Sequence, residues 1–136
     1  GAGEGVVYTE GGGEEESMVM KKKITRNNLI ELPLRPYPGM VFVTKNRKAF
    51  ERAAMELFGR EEDLRGKAGR FLMEPSWYHP HTALVWYSSP AVLAHELAHV
   101  IFGIFDTVGI RAESGNEEPF CYMLSQLFME ATEKTH

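Results

Sequence analysis

The stretch His95-Glu96-Leu97-Ala98-His99, set inside Ala91 to Phe105, decides how the rest of the chain is read. Apolar residues at Val92, Leu93, Leu97, Val100, Ile101, Ile104 and Phe105 surround it at helical spacing, so the segment reads as a helix buried on most sides. Ser89 is a good N-cap and Pro90 suits the first helical position, where a missing N–H costs nothing. Side chains at i and i+4 of a helix project from one face about a turn apart. His95 and His99 can therefore reach one ion together, and H-E-x-x-H on a helix is a zinc-binding pattern. Glu96 stands beside them, placed to take a proton from a metal-bound water without binding the metal. Two core histidines that fall four apart by coincidence would leave a charged stripe idle on a buried helix, which is costly.

Working outward, the strand before this helix is Thr82 to Tyr87, strongly apolar. Ahead of it, Trp77-Tyr78-His79-Pro80-His81 is an irregular aromatic segment, and Arg70 to Met73 is a short strand closed by Glu74-Pro75. Glu61 to Gly66 reads as a charged loop. Phe50, Ala53, Ala54, Leu57 and Phe58 form one continuous apolar face on a helix from Arg47 to Phe58, capped by Asn46 and stopped by Gly59. Met40 to Thr44 is a β-branched strand after a Pro38-Gly39 turn, and Leu29 to Leu34 an edge strand or extended arm. Residues 1–17 hold six of the thirteen glycines and the acidic run Glu14-Glu15-Glu16. They have little to bury and are expected to be a flexible arm or a cloning remnant, with residues 18–136 as one domain. Lys21-Lys22-Lys23 reads as a solvated flank. Beyond the motif, Gly109 and Gly115 mark a loop, and a last helix runs from Glu117 to about Thr132 with Leu124, Leu127 and Phe128 on its apolar face.

The 136 residues suffice for one modest core, and the apolar and charged fractions, 43% and 25%, are those of an ordinary globular protein. A net charge of −4 gives no reason to expect nucleic acid as a partner. One cysteine, Cys121, excludes an internal disulfide. No run is read as membrane-spanning and no signal peptide is legible, so the expected location is cytoplasmic. Oligomeric state is not legible.

Two histidines leave a catalytic zinc site one protein ligand short. Four of the five histidines lie between positions 79 and 99, so His79 and His81 are candidates, although a surface or supporting role in their loop suits them better. Asp106 lies on the histidine face of the same helix, and Glu117 and Glu118 open the last one.

Asn116-Glu117-Glu118-Pro119-Phe120-Cys121-Tyr122 resembles the Asn-Glu-x-Phe-Ala segment that supplies the third ligand in gluzincin metallopeptidases. Eighteen residues separate His99 from Glu118, as in aminopeptidase-N-like members. From Trp86 onward, about a third of the chain, the sequence also resembles small zincin-like proteins encoded by phages and prophages. Pro119 within the first turn departs from the pattern but is tolerated there. The resemblance implies Glu118 as the third ligand. Glu118 also aligns with Cys121 and Tyr122 on the polar side of its helix, whereas Glu117 falls in register with Leu124 and Phe128. Asp106 lies nearly two turns, roughly 10 Å, beyond His99, which is too far for a short carboxylate. It suits a helix end or a carboxylate that orients a ligand histidine. Cys121 is read as a small buried thiol, and Tyr122, one turn from Glu118, as a candidate hydrogen-bond donor to an oxyanion.

The fold implied is α+β and zincin-like. It has a small mixed sheet, the Arg47–Phe58 helix on one side, and the motif helix and C-terminal glutamate helix on the other. By the same resemblance Thr82–Tyr87 is the edge strand that pairs with an extended peptide. The activity implied is zinc-dependent peptide hydrolysis, with a peptide or protein substrate. The alternative is a non-catalytic zincin-like binding or assembly protein of a phage particle that keeps zinc for stability.

Overall fold

The computed structural model describes residues 26–74, 81–111, 115 and 117–134. The expectations for residues 1–17, for Lys21 to Lys23 and for His79 lie outside these residues. In chain order the elements are β1 (Ile30–Pro33), β2 (Gly39–Thr44), α1 (Arg47–Phe58), β3 (Gly69–Met73), β4 (His81–Tyr87), α2 (Pro90–Val108) and α3 (Glu117–Lys134). The class is mixed α+β.

The helix ends follow from local chemistry. Asn46 Oδ1 accepts from the Ala49 N–H at 2.8 Å, and Gly59 ends α1 with φ +66°. Ser89 caps α2 by accepting from the Val92 N–H. Gly109 closes α2 in the left-handed region, φ +80°, where an L side chain would be strained.

Four strands form one sheet in the order β1-β2-β4-β3. β1 runs antiparallel to β2, β2 parallel to β4, and β4 antiparallel to β3. Thr82–Tyr87 is therefore a central strand, which corrects the edge assignment. Its side chains agree with that place. Ala83, Val85 and Tyr87 are buried on one face and Leu84 and Trp86 on the other, as a strand covered by helices on both sides requires. The edge beside it is β3.

Two apolar layers hold the sheet. On one face, Phe42, Leu72, Leu84 and Trp86 pack against Phe50, Ala53, Ala54 and Leu57 of α1 and against Leu64. On the other, Val41, Val43, Ala83 and Val85 pack against Leu93, Leu97, Val100 and Ile101 of α2 and Met123, Leu127 and Ala131 of α3. By length and composition alone the 19-residue α2 is apolar enough to cross a membrane. That departs from the sequence expectation. Seven of its residues are buried against the sheet and α3.

Candidate metal centre

The inward stripe of α2 is apolar, which rotates His95 and His99 to the exposed side of the helix. Their Nε2 atoms stand 3.2 Å apart, and the rings meet edge to face with centroids at 4.8 Å. Two ring nitrogens at that distance need a proton or a cation between them, because two bare lone pairs would repel. Two nitrogens each about 2.0–2.1 Å from one tetrahedral ion stand about 3.3 Å from each other. The pair thus fits a single zinc ion as well as it fits a shared proton.

Glu96 is turned inward from the histidines and is 8% exposed. It reaches the same groove, of about 640 Å³, which is lined by Gly69, Arg70, Phe71, Val92, His95, Glu96 and His99 among others. One wall of this groove is the edge strand β3. Phe71 and Met73 join the apolar layer on the α2 side, whereas Leu72 joins the layer on the α1 side. Phe71 stacks on the His99 ring with centroids 4.9 Å apart and planes 7° from parallel.

Hydrogen bonds at the two ends of β3 define which of its backbone groups face β4 and which face away. The Ser88 N–H donates to Ala68 O and the Glu74 N–H to Thr82 O, both at 3.1 Å. With the register Arg70↔Trp86 and Leu72↔Leu84, the bonded pairs are the even positions of β3. The N–H and C=O groups of Gly69, Phe71 and Met73 therefore point away from β4, to an edge with no further strand among the described residues.

Arg70, at the groove's rim, is held by Glu62, its Nε donating to Oε1 at 2.7 Å and its Nη2 to Oε2 at 3.2 Å. This fork holds the Arg70 guanidinium more firmly charged, chiefly through the bond to Glu62 and also through the fields of Glu62 and Glu96. The Glu62 side chain is 5% exposed and that of Arg70 31%, so a partly buried charge pair ties the loop after α1 to β3.

The other sequence candidates stand elsewhere. Among the described residues no third His, Cys, Asp or Glu completes a cluster with the histidines. Glu117 and Glu118 are exposed in the first turn of α3, and Asp106 is exposed on α2. Phe120, two residues after Glu118, stacks on Phe102 at 4.8 Å and meets Phe105 edge-on at 6.2 Å. These contacts fasten the head of α3 to the turn of α2 that follows His99.

Tyr122 is 69% exposed and lines a different groove of about 400 Å³, with Pro36, Tyr37, Phe105 and Met123. Neither Tyr122, the candidate hydrogen-bond donor to an oxyanion, nor Glu118 is among the residues lining the groove beside the histidines. Cys121 is exposed, not the buried thiol expected, because α3 turns Met123, Leu127 and Ala131 inward instead. His81 opens β4 and is buried, where a loop position was expected.

Gly69 and Phe71 are the residues of the groove that sequence reading missed. A glycine inside a strand often marks close backbone approach, and that was the available signal. Compared with protein-family models, with curated proteins and with solved structures, the chain matches none.

Proposed function

We propose that this chain is a zinc-dependent metallopeptidase of gluzincin type with a zincin-like fold. The observation that carries the reading is the convergence of the His95 and His99 Nε2 atoms, 3.2 Å apart, in a groove that also holds the buried carboxylate of Glu96. His95 and His99 would hold the zinc, with Glu118 brought in from the head of α3. When bound, zinc polarises the scissile carbonyl and makes a water acidic enough to ionise near neutral pH.

The chain's own residues do the rest. Glu96 takes the proton from the attacking water and passes it to the leaving amine, so the amine departs neutral. The edge of β3, not Thr82–Tyr87, pairs with an extended peptide. Gly69, Phe71 and Met73 supply the outward-facing backbone groups for that pairing, beside His99 and Glu96.

The second reading is a non-catalytic zincin-like binding or assembly protein. It draws support from the exposure of Glu118, which is not among the residues lining the groove. The retained carboxylate of Glu96 speaks for catalysis, since a purely structural site has no use for a base. Hydrolysis of an unfolded protein substrate by the zinc-loaded chain, lost in Glu96→Gln, decides between them. Zinc uptake without hydrolysis in any substrate tried favours the second.

A further inference from the structure

His99 is exposed on α2, so the helix alone leaves its ring free to turn about two side-chain torsions. What confines it is the sheet edge. Phe71 is fixed opposite Val85 by the β3–β4 register, and its ring is packed against the apolar layer on the α2 side. From there it lies flat on the imidazole, 7° from parallel at 4.9 Å. In that orientation the Nε2 of His99 faces the Nε2 of His95.

We propose that Phe71 is a positioning residue for His99, holding its imidazole at the angle needed for His95 and His99 to grip one cation together. The inference rests on the zinc reading for the identity of the cation. The stacking itself belongs to the metal-free chain and is measurable there. An aromatic pair of this kind is worth about a two- to twelvefold preference for the stacked arrangement. Loss of the stack should weaken metal binding by a similar factor, because the ring must then be ordered when the metal arrives.

The test uses the full chain and two variants. Phe71→Leu keeps apolar bulk without a ring, and Phe71→Tyr keeps the ring. In NMR spectra of the metal-free protein the His99 ring protons should be shifted upfield in the parent and in Phe71→Tyr. Phe71→Leu should lose the shift while keeping the parent's circular dichroism. Titrated with Co²⁺ alone and followed by visible absorption, Phe71→Leu should bind about two- to twelvefold more weakly with altered band intensities, and Phe71→Tyr should match the parent. An unshifted His99 ring in the parent, or parent-like Co²⁺ affinity and spectrum in Phe71→Leu, overturns the proposal. A parent with the ring shift but no Co²⁺ uptake refutes the zinc reading and the metal-gripping role with it, and leaves only the stack established.

Discussion

Gly69 and Glu96 approach so closely that a single added carbon would not fit between them. A Cβ at position 69 would stand 2.7 Å from the Glu96 Oε2 and 2.4 Å from the Val92 Cγ1. The backbone of β3 is thus laid against α2 at the level of the buried carboxylate. At the other end the roles reverse, since Gly103 of α2 leaves room for the Met73 sulfur, 2.7 Å from where a Cβ would be.

Gly69→Ala should therefore destabilise the chain by about 1–3 kcal/mol, the usual cost of overpacking. Chemical denaturation measures it. Adding Val92→Ala should recover part of the loss, because the two changes share one space and will not add. Additive effects would mean that the strand moves aside freely.

Glu96→Gln should keep the fold and the metal while removing hydrolysis, since an amide has no basic oxygen to take the proton. A zinc titration and a peptidase assay on the same sample check both halves. Hydrolysis that survives the change would refute the role given to Glu96.

The Glu62–Arg70 fork makes a pH prediction. The carboxyl of Glu62 is held below its ordinary value of 4.5, chiefly by the hydrogen bond from Arg70, against the opposing effect of burial. A depressed carboxylate stabilises the fold above its unfolded value, and the contribution is lost as pH falls through the folded value. Glu62→Gln should thus cost about 1–2 kcal/mol at neutral pH, with the gap to the parent closing below 4.5. Urea melts at several pH values read the difference. A gap that widens in acid would contradict the assignment.

Much of this could be read from the chain because it is local. Asn46 and Gly59 bound α1, and Ser89 and Pro90 start α2, as their side chains and backbone freedom dictate. The face shared by His95 and His99 follows from helical spacing alone. Strand order was misread because pairing depends on residues far apart in sequence. β4 pairs with β2, which lies well upstream, as well as with β3, and those two pairings make it central. The bearing of Gly69 and Phe71 on the site was hidden for the same reason. Gly69 signals a close approach, but nothing near it in the chain says that the motif helix is what β3 lies against.

Glu118→Ala should weaken zinc binding by about a hundredfold or more, since even changes behind a ligand commonly cost about 10–100-fold. Glu117→Ala and Asp106→Ala should change it modestly. Competition with a chromophoric chelator gives the affinities. Full affinity in Glu118→Ala, with loss in either of the others, would assign the third ligand elsewhere and undo the gluzincin reading.

The most direct test of the central claim is the zinc content of the purified chain, measured by elemental mass spectrometry alongside His95→Ala, His99→Ala and the double variant. The account predicts about one zinc per chain in the parent, and none retained once either imidazole is removed. Equal zinc in the parent and the double variant would contradict it.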